Sequence, residues 1–252
     1  MEKKKRWSCI KGIGAGICGC IFLIPVLLFL EQGVWENGGF TLRWYKEVFL
    51  SSPLYLKKFW GSLALTALLV AGQLGMGVMA AFGFAVCELP GKRLLKGVLL
   101  VLMLLPVQVL LVPQYLVLNR LQLLNTVWAL ILPYFFLPFS TFFLILFFEH
   151  TDRDALDAAR LDGAGSGRLL TRIVLPMERG PVAALSLLVF LYAWSMVEQP
   201  AAFLKDIHLY PLGVYLMTAP GREMGRLSAC GVLSVLPLLI LAGFLFRRGR
   251  TE

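Results

Sequence analysis

"DALDAARLDGAGSGRLLTRIVLP" runs from Asp154 to Pro176. Asp154, Asp157, Arg160, Asp162, Arg168 and Arg172 give it charge, and Asp152 and Arg153 come directly before it. Two of the most apolar blocks of the chain flank it. Thr151, followed three residues later by Asp154, is a weak capping box. Asp152 and Asp154 fall in a first helical turn, where the helix dipole favours negative charge. Ala155, Leu156, Ala158, Ala159 and Leu161 are good helix formers. Gly163 stands where a left-handed C-terminal cap is needed. Ser166 then caps a second helix, 167–174, and Pro176 stops it. The stretch reads as a polar helix, a tight turn and a second short helix.

The rest of the chain explains why such an excursion is unusual. Of 252 residues, 58% are hydrophobic and 15% charged; soluble domains have about 45–50% apolar and about 25% charged residues. The apolar excess falls in six blocks, at 13–30, 63–86, 97–118, 127–148, 182–203 and 227–246. Each is near the ~20 residues that a helix rising ~1.5 Å per residue needs to cross ~30 Å of hydrocarbon. Helices also satisfy their own backbone groups, which lipid cannot do. The fold class is therefore an all-α integral membrane protein with six transmembrane helices. Residues 1–252 form a single transmembrane domain with a polar loop at 149–180. The basic start and first apolar block have no small-x-small cleavage site after them, so the first block reads as an uncleaved span.

Lys and Arg set the orientation. With the N-terminus cytoplasmic, sixteen of the 24 basic residues lie inside, among them Lys92, Lys96, Arg153, Arg168 and Arg247. Both termini and the 149–180 loop are then cytoplasmic. The formal net charge of +9 is explained by this topology and by anionic lipid heads, with no nucleic acid needed. Catalysis is not expected of this chain. Cys9, Cys18, Cys20, Cys87 and Cys230 form no C-x-x-C pair, and His150 and His208 stand alone. No cluster has metal-ligand spacing, and no G-x-x-x-x-G-K-[ST] phosphate loop is present.

Asp157-Ala158-Ala159, three residues, Gly163, nine residues, then Ile173-Val174-Leu175-Pro176 resembles the cytoplasmic coupling motif of ABC importer membrane subunits. That motif is written E-A-A, three residues, G, nine residues, I-x-L-P. Asp157 stands where Glu is usual, keeping the charge with one methylene less reach. Asp162-Gly163-Ala164 is similar to the carbohydrate branch, the maltose-type permeases. "FTLRWYKEVF" at 40–49, "LPGKRLL" at 89–95, "LPVQVLLVPQYLVLNRLQLLNTVWALILPY" at 105–134 and "LYPLGVYL" at 209–216 extend the resemblance over nearly the whole chain.

The resemblance implies the type I ABC importer permease architecture in a bacterial cell membrane. It also implies a second related permease subunit in a heterodimer, two cytoplasmic ATP-binding subunits and an external solute-binding protein. ATP would be bound by those partner subunits, so this chain needs no cofactor and no metal. Asp157, Ala158, Ala159, Asp162, Gly163, Ala164, Ile173, Leu175 and Pro176 would make the ATPase coupling element. Asp157 and the alanine pair would touch the ATPase, Gly163 would set the turn, and Leu175-Pro176 would anchor the second helix.

Intramembrane polar groups are costly and mark pathways. Gln108, Trp194, Ser195 and Glu198 are the candidates for a solute route, with Gln73, Gln114, Tyr192 and Gln199 nearby. Family members often have Trp-Asn at the position of Trp194-Ser195. Gly72, Gly75, Gly77 and Gly83 would let a partner helix approach closely. Pro25, Pro106, Pro113, Pro133 and Pro138 fall within spans and can kink them. Asn125-Thr126 would cap the fourth span. The alternatives are an importer for a non-sugar solute, a secondary transporter, which would show inverted repeats or paired intramembrane charges, and a membrane enzyme.

Overall fold

The computed structural model describes residues 23–24, 26–36, 38–50, 53–87, 89–218 and 224–250, with side chains to 245. The expected first span, 13–30, lies mostly outside the described residues. Two compact units divide the chain: Met1–Lys57 with Ala219–Leu236, and Lys58–Thr218 with Pro237–Glu252.

In the first unit, helical residues 26–34 (α1) lead into a two-stranded antiparallel ribbon, Trp35–Glu36 (β1) and Gly39–Phe40 (β2). Periodicity gave no sign of this ribbon. Gly38, at φ 81°, supplies its turn. Helix α2 (Arg43–Leu50) follows. Arg226 pairs with Glu47, and the Ser228 hydroxyl donates to the Phe29 carbonyl.

The second unit carries the bundle. Helix α3 (Pro53–Val86) is 34 residues long and starts ten residues before the apolar block that announced it. The expected third span, 97–118, is not one rod. It divides into α4 (Lys92–Leu104) and α5 (Val107–Arg120), which bend by 101°. The cause is Pro106. It has no N–H to donate and pushes Leu105 into the extended region, φ −69° and ψ 126°. Pro138 similarly sets Leu137 extended and parts α6 (Trp128–Phe135) from α7 (Pro138–Phe148). These two still add up to a span of 21 residues. The expected fifth span, 182–203, divides into α11 (Arg179–Trp194) and α12 (Glu198–Phe203). Helix α13 (Leu212–Thr218) follows, and the sixth apolar block lies within α14 (Met224–Arg250). Among the described residues three helices are long and apolar enough to cross a membrane, or up to five if each bent pair is one span.

A core of Leu69, Tyr134, Leu144, Ile145, Phe148, Leu185 and Val189 joins α3, α6, α7 and α11. Gly72 sits against the Phe135 ring and Gly77 against Ser140, so those two glycines serve packing within the chain; Gly75 and Gly83 face open space. Leu94, Val101, Leu104 and Val112 on α4 and α5 are exposed, as lipid or a neighbouring subunit requires. Asn125 does not cap α6. It adopts φ 59° and its Oδ1 accepts from Lys205 N (2.9 Å) and Asp206 N (2.8 Å).

Candidate functional site

The polar stretch folds as α8 (Arg153–Leu161), α9 (Ser166–Leu169), a π-helical turn (Leu170–Val174) and α10 (Leu175–Met177). The N-cap of α8 is Asp152, not Thr151: its Oδ1 accepts from Asp154 N at 3.0 Å. Thr151 is drawn elsewhere. Its hydroxyl donates to Glu178 Oε1 at 3.0 Å and the residue is buried. At the other end Gly163 has φ 79°. Gly163 N–H bonds Arg160 O (3.0 Å) and Ala164 N–H bonds Ala159 O (2.9 Å). This is a complete Schellman cap, so the glycine turn stands where the spacing put it.

The second helix departs from expectation. Gly165, not Ser166, takes the N-cap position of α9, so the helix starts without a side-chain cap. Pro176 does not stop the helix. The π turn ahead of it widens the coil, and Leu175 N–H reaches back five residues to Leu170 O. A widened turn accommodates a proline ring that a tight one would exclude. The chain turns instead at Glu178, by 82° into α11.

Asp154, Asp157, Ala158 and Leu161 follow one another at helical spacing, and all four are exposed. Leu161 is 90% exposed. Ala159, Ala164, Ile173 and Leu175 are partly buried and pack against the core with Leu156, Leu169 and Val174. Of the alanine pair, therefore, Ala158 faces outward and Ala159 inward. Asp162 and Pro176 are exposed. Arg160 pairs with Asp157 at 2.9 Å and touches the Val86 carbonyl at 3.4 Å.

A second anchor was not foreseen. Glu149, just past α7, accepts from Lys92 Nζ at 2.9 Å and also from Lys96 Nζ. Burial raises the Glu149 pKa, but the hydrogen bonds and charges of Lys96 and Lys92 outweigh it and the net shift is downward. Lys92 and Lys96, four apart on α4, share a face, and that spacing was the available signal. Elsewhere Lys58, 6% exposed, donates to the carbonyls of Ile207 (2.5 Å), His208 (2.9 Å) and Tyr210 (3.1 Å). Nothing local in the sequence announces that contact.

The solute-route candidates divide. Gln108, Ser195 and Glu198 meet in a cleft of about 350 Å³, with Val107, Tyr192 and Gln199. Gln108 Nε2 donates to both Glu198 oxygens, at 2.8 and 3.1 Å. This contact joins the start of α5 to the start of α12, beside the two breaks. Trp194 is engaged with aromatic neighbours: edge-on to Phe59 at 5.7 Å and stacked on Phe190 at 6.0 Å. Gln73 donates to Ser140 at 2.6 Å, an interhelical bond.

Residues 73–248 match the family described as the binding-protein-dependent transport system inner membrane component. The arabinooligosaccharides transport system permease protein AraQ of Halalkalibacterium halodurans is 27% identical, over 85% of this chain and 78% of that one. The diacetylchitobiose uptake system permease protein NgcG of Streptomyces coelicolor is 35% identical, over 66% of this chain and 57% of that one. In structure the chain is similar to a subunit of a bacterial ABC transporter involved in the import of the acidic polysaccharide alginate. There the TM-score is 0.86 at 17% identity, with 98% of each chain covered. A mostly helical, span-rich chain with this match over residues 73–248 belongs to the inner-membrane permease family of binding-protein-dependent ABC importers.

Proposed function

We propose that the chain forms half of an oligosaccharide pore and that residues 149–180 couple it to ATPase subunits in the cytoplasm. The chain makes six crossings with both termini inside. The other half is a second, related permease, and an external binding protein delivers the solute. The relatives named for arabinooligosaccharides and diacetylchitobiose support a carbohydrate cargo.

One observation carries the coupling assignment: α8 is closed by caps at both ends yet leaves Asp157, Ala158 and Leu161 uncovered. Capped ends stiffen a short helix, and a stiff helix passes on a displacement that a loose loop would absorb. Closure of the ATPase pair then becomes rigid-body rotation of the spans. Asp157, Ala158 and Asp162 contact the ATPase. Gly163 and Ala164 form the turn. Ala159, Ile173, Leu175 and Pro176 fix the excursion to the bundle. Gln108, Ser195 and Glu198 line the solute path, and Trp194 holds its aromatic wall.

The test is copurification from cells expressing the whole importer. With Leu161→Glu, a charge enters a surface that must be desolvated. Recovery of the ATPase with the tagged permease falls about tenfold, the effect of ~1.4 kcal/mol, while the partner permease still copurifies. Undiminished ATPase recovery overturns the assignment.

A further inference from the structure

The cleft at Gln108 and Glu198 has a charge character that bears on which solutes it admits. Glu198 is exposed, and among the described residues its polar contact is the Gln108 amide, a neutral donor. A carboxylate offers about four lone-pair sites. One NH2 group occupies part of that capacity, and the rest opens on the cleft. The other polar groups there are uncharged: the Ser195 hydroxyl, the Gln199 amide and the Tyr192 phenol. Ser195 is turned back to its own helix, donating to Leu191 O at 2.7 Å, so its oxygen is left as an acceptor. Tyr192 is 43% exposed and packs its ring against Tyr134 at 5.7 Å, which leaves apolar ring surface towards the cleft. The site is thus rich in acceptors and carries one negative charge, and among the described residues that line it there is no cation to balance that charge.

We propose that Glu198, held by Gln108, makes this cleft a charge filter that passes neutral or amine-bearing sugar rings and disfavours anionic ones. This rests on the reading of the cleft as part of the solute path. A neutral sugar brings vicinal hydroxyls, which donate as a pair to the free carboxylate sites, and its C–H face lies on Tyr192. An amino sugar adds a charge-assisted hydrogen bond. A uronate or phosphate brings a like charge to a carboxylate whose partner among the described residues is a neutral amide. At ~5 Å and an effective dielectric between surface and bulk values, that repulsion amounts to about tenfold in affinity. Gln108 is a positioning residue. Its amide fixes the carboxylate across the joint between α5 and α12 and adds no charge.

The test uses the assembled importer in lipid nanodiscs, without binding protein, and saturation-transfer NMR with three probes: cellotriose, a glucosamine trimer and trigalacturonate. Wild type transfers saturation to cellotriose and the glucosamine trimer and about tenfold less to trigalacturonate. Glu198→Gln brings trigalacturonate to within about twofold of cellotriose and weakens the glucosamine trimer. A gain of anion binding cannot come from misfolding. Gln108→Leu keeps the charge and so keeps the order of the three probes. If cellotriose binds and the order is the same in wild type and Glu198→Gln, the filter is refuted and the solute path stands. If cellotriose binds neither protein, the path assignment itself falls.

Discussion

Replacing Lys58 by Met tests how the 204–211 segment is held. The Lys58 ammonium donates to three carbonyls of this segment, at 2.5, 2.9 and 3.1 Å, from a side chain that is almost wholly buried. Methionine fills a similar volume and donates nothing. Hydrogen bonds to a charged group contribute about 1.5–3 kcal/mol each, but they are not additive. Ile207 and His208 are exposed, so water recovers part of the loss at their carbonyls. A net loss of about 3 kcal/mol is the reasonable sum, which is about a hundredfold in a local opening equilibrium. Lys205 lies in the segment, exposed, and its N–H is held by Asn125. Trypsin cleavage after Lys205 in detergent-permeabilised membranes therefore reports the opening, because cleavage follows the open population when reclosing is fast. The rate rises about a hundredfold in Lys58→Met. A change of less than about threefold would mean that the three carbonyls are held by something other than Lys58.

Two further predictions concern the polar excursion. Gly163→Ala forces a Cβ into the left-handed region at a cost of about 1–2 kcal/mol. No atom crowds the site, so the effect is strain in the cap, and hydrogen exchange at the Gly163 and Ala164 amides speeds up about five- to thirtyfold; unchanged exchange refutes it. Glu149 has a folded-state pKa below its unfolded value, so its stabilisation is complete above the ordinary carboxylate range and is lost as pH falls through the folded value. The difference in thermal midpoint between wild type and Glu149→Gln is flat above the ordinary carboxylate range and shrinks as pH falls below it; a difference that stays undiminished under strongly acidic conditions contradicts the clamp.

The polar stretch was the most legible part of the chain, because caps and turns depend on local chemistry. Gly163 fell where its spacing put it. The cap at the start of α8 moved by one residue because Thr151 and Asp152 are both capable of capping, and Glu178, distant in sequence, engaged Thr151. The π turn had a signal that went unread. Leu169-Leu170 and Val174-Leu175 are apolar pairs five residues apart, wider than an α-helical turn allows for one face. Hydropathy located the apolar blocks but not their continuity, since lipid accepts a broken rod as readily as a straight one if its polar groups are satisfied. The rule for residues before proline fits the breaks at Leu105 and Leu137, but Pro113 and Pro133 lie inside α5 and α6, so it does not say which prolines break a span. The meeting of Gln108 with Glu198 joins residues far apart in the chain and had no local signature. The ring contacts of Trp194 with Phe59, 135 residues earlier in the chain, likewise have no local signature.

The bond from Thr151 to Glu178 ties together the two feet of the excursion, one after α7 and one before α11. The segment between them is therefore a stirrup rather than a tether. A tug on a tether can be taken up by one attachment while the other rests. A tug on a stirrup reaches both helices in the same stroke, and slackening one foot without the other requires breaking the tie first.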